Sequence, residues 1–326
     1  MRPTVLDVYD ARRRLGPHLQ PTPLQRSPWL SSVTGAEVFL KLESVNLTHS
    51  FKIRGALNAA LTLAARGTAA PTLVTASAGN HGRALALAAE RLSFRCIVFT
   101  PASAPETKKN AIRGHGAVLH ADCDGYDAAE QQARAYAEAE GGVYVSPYNH
   151  PDVIAGAGTV GLEIVESLPA FDVVVIPLGG GGLASGVGLA VRAAAPRATI
   201  VGVEVEASSP FTVGLAAGRI TEITPRASLA DGLTGNLEPD SITFPLVQQV
   251  VDRVVTVSED EVSRAMRGLG EEEHLIVEGA GAAATAAVIA GRASTPGQRV
   301  VVLVTGGNVD LPKWMSAVSL PGLLRP

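Results

Sequence analysis

The chain has 326 residues, of which 46% are hydrophobic and 18% charged, and a formal net charge of −4. That length exceeds one minimal core and suits two domains, or one large domain with a smaller lobe. Acidic and basic residues are spread along the whole chain, so we expect no basic surface for nucleic acid.

Short β-branched runs bounded by glycine alternate with helical segments along the chain. The predicted strands, in chain order, are residues 72–77, 95–101, 117–122, 172–178, 199–206 and 299–305. This alternation indicates βαβ units and a mainly parallel sheet, which makes the predicted fold class α/β.

Two segments interrupt this pattern. Residues 146–152 are polar and flanked by proline, which is typical of a crossing between two lobes. Residues 206–244 show the weakest periodicity, so we predict loops and short helices there, and long loops in compact enzymes are often functional.

Three glycine turns follow predicted strands. They are SAGNHG (77–82), GGGG (179–182) and TGGN (305–308). In open α/β sheets, ligands bind beyond the carboxyl ends of the strands, where the chain turns into a helix. These turns are therefore the candidate ligand site.

Gly179, Gly180, Gly181 and Gly182 remove every side chain from one such turn. Their N–H groups can approach an anion closely at the positive end of a helix, which predicts a phosphate site. No GxxxxGK[ST] pattern occurs. A GxGxxA pattern that ends at Ala184, with Glu204 or Glu206 as the downstream acid, leaves a nicotinamide oxidoreductase as the main alternative.

The other two turns carry polar side chains. Ser77, Asn80 and His81 lie within one loop, where a hydroxyl and successive N–H groups can bind a carboxylate. His81 alone is more typical of the start of a helix. Thr305 offers one neutral hydroxyl at the end of a strand, and alone it is most often a turn residue.

Lys52 directly follows Phe51, within a cluster of small polar residues. A lysine on a solvated helix face needs no such surroundings. The sequence therefore predicts that Lys52 bonds to a ligand.

Taken together, these motifs resemble the fold-type-II pyridoxal-phosphate enzymes, in the branch of serine/threonine dehydratases (threonine ammonia-lyases) and serine racemases. The similarity spans nearly the full chain and rests on PTPL (21–24), KLESVNLTHSFKIRGALNAAL (41–61), SAGNHG (77–82), HPDVIAGAGT (150–159), GGGGL (179–183), ADG (230–232), VSEDE (257–261), VEGAG (277–281) and TGGNVD (305–310). The resemblance implies a tryptophan-synthase-β-like fold with two open parallel-sheet α/β lobes.

The resemblance also implies a division of the chain. Residues 1–70 and 147–326 would form the large cofactor-binding domain, and residues 71–146 would form a small mobile domain. A homodimer is expected by the same resemblance. We expect no regulatory region after the catalytic part, since the chain ends at Pro326.

The resemblance assigns roles around the cofactor, pyridoxal 5′-phosphate. Lys52 would carry it as a Schiff base, Phe51 would pack against its ring, and Asn80 would bond to the ring 3′-oxygen. Gly179 to Gly182, with the N–H of Leu183, would hold the phosphate. Thr305 would meet the pyridine nitrogen.

The implied reaction removes water from a 3-hydroxy L-amino acid of the threonine or serine type and yields a 2-oxo acid and ammonia. Lys52 would act as the general base, with Ser77 as the second catalytic residue. Ser77, Asn80 and the backbone N–H groups around Gly79 and His81 would bind the substrate carboxylate. The open alternatives are 3-hydroxyaspartate or a bulkier β-hydroxy amino acid as substrate, a serine racemase, and a protein that binds the cofactor without catalysis.

The sequence departs from the family pattern at two positions near the cofactor. His49 replaces a glycine that most relatives carry, and it either turns away or narrows the substrate pocket, where it would be a further substrate contact. Ala78 replaces the second serine of the racemases and has no proton to give. We therefore expect elimination to dominate over racemisation.

A divalent metal site is not expected. Glu204 could supply one ligand, but Pro210 stands roughly where relatives have a second carboxylate, and Glu206 is a weaker candidate. Cys96 and Cys123 have no CxxC partner, which argues against structural zinc and a disulfide framework.

The N-terminal residues lack an apolar signal-peptide segment, and no apolar run is long enough for a membrane span. We therefore expect a cytoplasmic enzyme whose partner is an amino-acid substrate, with neither nucleic acid nor membrane.

Overall fold

A computed structural model describes residues 2–67 and 71–319, and its larger sheet has six strands in the order β1-β2-β10-β7-β8-β9. β1 pairs antiparallel with β2, and all the other pairs in this sheet are parallel. The strands are β1 (Leu24–Arg26), β2 (Glu37–Leu42), β7 (Val173–Pro177), β8 (Thr199–Val205), β9 (Arg253–Val257) and β10 (Arg299–Val304).

The smaller sheet has four parallel strands in the order β5-β4-β3-β6. Its strands are β3 (Thr72–Ala76), β4 (Arg95–Pro101), β5 (Val118–Cys123) and β6 (Val143–Tyr144). Three helices alternate with these strands, namely α4 (Asn80–Leu92), α5 (Glu106–Arg113) and α6 (Tyr126–Ala139).

The remaining helices lie outside residues 71–146. They are α1 (Val5–Leu15), α2 (Pro28–Thr34), α3 (Lys52–Ala65), α7 (Pro151–Ser167), α8 (Gly182–Ala194), α9 (Pro210–Ala217), α10 (Thr243–Val250), α11 (Glu259–Glu272), α12 (Gly279–Ile289) and α13 (Leu311–Val318). Within the described parts of the chain, no helix combines the length and apolarity that crossing a bilayer requires.

Helices cover both faces of the six-stranded sheet. Val300, Val302 and Val304 of β10 pack into one core with α11 and α12, while Val301 and Leu303 pack into a second core with α8 and α10. Successive residues of a strand point to opposite faces, so an unbroken valine and leucine run is what a strand buried on both sides requires.

The predicted α/β class with mainly parallel sheets is confirmed. All six predicted strands are present, each within one residue of its predicted bounds. Four observed strands were not predicted, namely β1, β2, β6 and β9. Residues 206–244 form loops, α9 and a short 3₁₀ turn, as predicted.

The small sheet does not form its core from residues 71–146 alone. Ile53, Ala56 and Leu57 of α3 pack with Leu85 of α4 in one buried cluster. The helix that begins at Lys52 thus packs on α4 and shares a hydrophobic core with the smaller sheet. The division at residues 70 and 147 stays a prediction.

Candidate active site

Lys52 is the first residue of α3 and lies half-buried beside Phe51. Its Nζ donates a hydrogen bond to the carbonyl oxygen of Pro147 at 2.8 Å and lies 5.0 Å from the centre of the Phe51 ring. Burial lowers the pKa of Lys52 to about 8, although the nearby Glu278 opposes the shift. A substantial fraction of this amine is therefore neutral near physiological pH, which nucleophilic attack requires.

The loop after β3 places Ser77 and Gly79 before the first turn of α4. The N–H of Gly79 donates to Ser77 Oγ at 3.2 Å. Asn80 Nδ2 donates to Glu278 Oε1 at 2.7 Å, and Asn80 Oδ1 accepts from Asn308 Nδ2 at 2.7 Å. Both polar atoms of the Asn80 side chain are thus bonded, and the bond to Asn308 joins the turn at 77–82 to the turn at 305–308.

The glycine loop joins β7 to α8, which begins at Gly182. Gly181 has φ of 84°, a left-handed conformation that glycine adopts without strain. A Cβ at Gly180 would lie 2.3 Å from Cγ of Tyr148, so the ring of Tyr148 requires glycine there. The loop therefore presents backbone N–H groups at the start of a helix, as an anion site requires.

Thr305 follows β10 and is 4% exposed, with its Oγ1 3.5 Å from the carbonyl oxygen of Ala280. The carbonyl oxygen of Thr305 accepts a hydrogen bond of 3.1 Å from the N–H of Phe51. This backbone bond ties the segment before Lys52 to the end of the central strand.

One cavity of about 1260 Å³ brings most of the predicted residues together. Its lining includes Phe51, Lys52, Ser77, Gly79, Asn80, His81, Gly179, Gly180, Gly181, Gly182, Leu183 and Thr305. Three turns that are far apart in sequence thus line one cavity together with Lys52.

Glu278 also lines this cavity, and no sequence motif predicted a role for it. It precedes α12, is 7% exposed and accepts the hydrogen bond from Asn80. Burial raises its pKa to about 7, while the hydrogen bond from Asn80 opposes this shift. The signal in the sequence is one carboxylate inside the apolar segment 275–290.

Tyr148 and Glu238 form a second group that the sequence did not reveal. The N–H of Glu238 donates to Tyr148 Oη at 2.9 Å, and its carboxylate accepts from Ser146, Asn149 and Arg134 at 2.8, 2.6 and 2.6 Å. Burial raises the pKa of Glu238, which these donors oppose. The loop at 238 is thereby fastened to α6 and to the segment after β6.

Comparison with known proteins identifies the family. The model of the pyridoxal-phosphate dependent enzymes matches residues 15–306. The chain belongs to this family. The predicted fold-type-II family and the tryptophan-synthase-β-like architecture are confirmed.

Relatives named for dehydratases match over most of the chain. An L-threonine ammonia-lyase of Thermotoga maritima is 39% identical, over 94% of this chain and 76% of that protein. A β-hydroxyaspartate dehydratase of Paracoccus denitrificans is 36% identical, over 95% of this chain and 98% of that protein. The crystal structure of a T.th. threonine deaminase has a TM-score of 0.86 at 37% identity and covers 95% of this chain and 99% of that chain.

The residues present fit pyridoxal phosphate, the cofactor of the family. The site offers one amine of lowered pKa and a glycine loop at a helix start, both facing one cavity. Asn80 Nδ2 has a second hydrogen beyond the one given to Glu278, and Thr305 contributes only a long contact to Ala280. The amine therefore suits an aldehyde, the glycine loop suits a phosphate, and Asn80 and Thr305 suit the polar atoms of a heteroaromatic ring.

The two histidines named among the expected substrate contacts lie in different surroundings. His81 is 2% exposed, its Nε2 lies 3.1 Å from the carbonyl oxygen of Val145, and burial lowers its pKa to about 3. His49 is exposed, has φ of 55° and does not line the cavity. The geometry at His49 matches the alternative in which the side chain turns away.

Glu204 has a structural partner for both carboxylate oxygens. They accept hydrogen bonds from the N–H groups of Phe211 and Thr212 and from Thr212 Oγ1, so Glu204 caps the first turn of α9. Glu206 is exposed. Among residues 2–67 and 71–319, no three His, Cys, Asp or Glu side chains gather as a metal site.

Proposed function

We propose that this protein is a pyridoxal-phosphate-dependent dehydratase (ammonia-lyase) that removes water from a 3-hydroxy L-amino acid of the threonine or serine type and forms a 2-oxo acid and ammonia. The observation that carries the proposal is Lys52, an amine with a pKa near 8 in the same cavity as the glycine loop and Thr305. The names of the relatives support the same reaction.

When bound, pyridoxal phosphate supplies an aldehyde for a covalent link to an amine and an electron sink during bond cleavage. Gly179 to Gly182 and the N–H of Leu183 would hold the phosphate, while Asn80 and Thr305 would orient the ring. The Nζ of Lys52, free once the substrate amine is bound, would accept the α-proton. The β-hydroxyl would leave as hydroxide, which together with the proton taken by Lys52 makes up the water lost, and hydrolysis would release ammonia and the 2-oxo acid.

The substrate carboxylate binds at the loop before α4. Ser77 Oγ and the N–H groups around Gly79 and His81 are the proposed donors, with Asn80 beside them. Because His81 is buried and neutral, its backbone rather than its imidazole is suited to this task.

The residue at position 78 favours elimination over racemisation. Racemisation needs a proton donor on the opposite face of the substrate, and Ala78 lines the cavity without one. The nicotinamide alternative has no support from the family match, and it gives Lys52 no role. The protein is therefore a lyase in this proposal.

A homodimer in the cytoplasm completes the proposal. Large apolar side chains are exposed at Val45, Leu47, Ile276, Leu311 and Met315, and a second copy could cover them. Cys96 and Cys123 are both buried and free, which suits a reducing compartment.

The replacement Lys52→Ala tests the assignment. We expect loss of the visible absorbance of the bound cofactor and loss of more than about 1000-fold in keto-acid formation from L-threonine or L-serine. Lys313→Ala, at a half-exposed lysine outside the cavity, is the control and keeps both signals. Full turnover by Lys52→Ala would refute the proposed function.

A further inference from the structure

We propose that the mouth of the cavity selects substrates by charge, favouring 3-hydroxy amino acids with a neutral side chain over those with a second carboxylate, such as 3-hydroxyaspartate. This inference rests on the proposed dehydratase function and narrows its substrate class. It is carried by the balance of charges around the cavity and by the partners of its cations.

Acidic side chains dominate the lining outside the cofactor-binding residues. Apart from Glu278, they are Asp127, Glu130, Glu222, Asp231, Glu238 and Asp240. The only lining cations besides Lys52, in the described parts of the chain, are Lys108 and Arg134. A substrate that carries an extra negative charge therefore enters a predominantly acidic opening.

Both of these cations already have carboxylate partners. Arg134 donates to Glu130 Oε1 through Nε at 2.9 Å and Nη2 at 2.8 Å, and its Nη2 lies 2.6 Å from Glu238 Oε2. Lys108 Nζ lies 3.1 Å from Asp231 Oδ2, which also accepts from Lys313 at 3.3 Å. Recognition of a second carboxylate usually depends on an available Arg or Lys, and here each would first have to leave its own acid.

The acidic residues at the opening come from two parts of the chain, a helix of the smaller sheet and the loops that follow α9. Asp127 lies in the first turn of α6, and Glu222 and Asp240 lie in the loops on either side of the 3₁₀ turn at 231–233. All three side chains are exposed, so their field acts on molecules that approach from solvent and weakens with added salt.

Apolar groups in the same lining offer a place for a neutral side chain. Ile220, Leu233 and Leu237 line the cavity together with Tyr126. A hydrogen or methyl group on the β-carbon gains from contact with such surfaces, whereas a carboxylate loses hydration there without finding a free cation. Contact with the apolar surface and repulsion by the acidic residues therefore both favour substrates with a neutral side chain over those with a second carboxylate.

The test compares L-asparagine with L-aspartate, which are nearly isosteric and differ by one negative charge. Calorimetric Kd values are measured on the cofactor-loaded protein at low and at high salt. Unit charges about 10 Å apart in water change affinity about twofold each, so we expect asparagine to bind about three- to tenfold tighter at low salt. High salt is expected to narrow the difference.

A matched pair of triple variants localises the effect. Asp127→Asn/Glu222→Gln/Asp240→Asn removes three charges at the mouth, and Asp122→Asn/Glu138→Gln/Glu140→Gln removes three exposed charges that do not line the cavity. We expect the first variant to tighten aspartate binding severalfold with asparagine unchanged, and the second to leave the ratio of the two Kd values as in the unaltered protein.

Aspartate binding as tightly as asparagine, or a difference that the first triple variant leaves intact, would overturn charge selection. Neither ligand has a β-hydroxyl group to eliminate, so this outcome is independent of turnover. Keto-acid formation from L-threonine and L-serine is assayed in parallel. If no keto acid forms, the proposed dehydratase function is wrong. The two Kd values would still show whether the mouth of the cavity selects ligands by charge.

Discussion

Lys52 differs from every other lysine of the chain in what its ammonium contacts. The sequence has five lysines, and Lys41, Lys108, Lys109 and Lys313 lie within 4.0 Å of a carboxylate oxygen. Those ion pairs favour the charged form of the amine, although burial still lowers the pKa of Lys41. Lys52 instead donates to a backbone carbonyl, and desolvation lowers its pKa to about 8 with no carboxylate of the described residues in contact, which leaves the amine available for covalent chemistry.

The pH dependence of cofactor capture follows from that pKa. Cofactor-free protein should react with pyridoxal phosphate at a rate that rises with pH and has its midpoint near 8, because only the neutral amine attacks. Stopped-flow absorbance measures this rate. A midpoint near 10.5, the ordinary value for lysine, would contradict the structure.

Replacement of Glu278 should shift the pKa of Lys52 in a direction that the structure predicts. The negative charge of Glu278 raises the pKa of Lys52, so Glu278→Gln should move the midpoint of capture to lower pH. Glu271→Gln, at an exposed ion pair on α11, is the control and should leave it in place. A shift to higher pH in Glu278→Gln would argue against this coupling.

The residues of the glycine turns and Lys52 were predictable because each stands in a local motif. Glu278 was not, since its role depends on a hydrogen bond to Asn80, which lies 198 positions away in sequence. Tyr148 and Glu238 were not predicted either, because their contact joins residues that are 90 positions apart in sequence. His49 shows the opposite limit, because its position three residues before Lys52 gave no information on which way its side chain points.

At the scale of elements, the start of α8 depends on a backbone conformation that other residues adopt poorly. Gly181 precedes α8 with φ of 84°, and a Cβ there would lie 2.6 Å from the ring of Phe211. Gly125 precedes α6 with φ of −170°, and a Cβ added there would meet no atom of the described residues beyond its chain neighbours within 4 Å. The two positions are alike in directly preceding a helix and differ in what they require.

Gly181→Ala should therefore lower stability by about 1–2 kcal/mol from the left-handed conformation alone, and weaken cofactor binding further. Chemical denaturation and a cofactor titration measure the two effects. Gly125→Ala is the matched control and should change neither. Equal behaviour of the two variants would mean that the loop before α8 tolerates a side chain.

Strand prediction succeeded where hydrophobic runs were continuous and failed where they were short or mixed. β7 and β10 are buried on both faces and read as valine-rich runs. β1 and β6 have three and two residues, β2 contains the buried Lys41, and β9 begins with the exposed Arg253. Pairing with neighbouring strands, rather than local sequence, defines these four.

At the scale of the whole molecule, the two sheets are linked across the cavity by ion pairs. Arg134 of α6 contacts Glu238, and Lys108 of α5 contacts Asp231. Both acids follow α9 in the chain, Asp231 in the short 3₁₀ turn and Glu238 in the loop after it. Glu238 also accepts from Ser146 and Asn149, so this residue fastens the smaller sheet, the connecting segment and the loop together.

Glu238→Gln should loosen this connection. We expect a rise of about threefold or more in KM for the substrate and faster proteolysis of the loop at 234–240, because a charge-assisted contact of Arg134 is lost. Glu130→Gln removes the other partner of Arg134, which lies within the same helix, and should leave both quantities nearly unchanged. Identical effects of the two variants would refute the link between the sheets.

The most direct measurement of the central claim is reductive trapping of the cofactor followed by peptide mass spectrometry. Borohydride reduction of the cofactor-loaded protein should attach one pyridoxyl phosphate group to the peptide that contains Lys52. The other lysines should remain unmodified. Modification of Lys41, Lys108, Lys109 or Lys313 in place of Lys52, or no modification at all, would contradict the account.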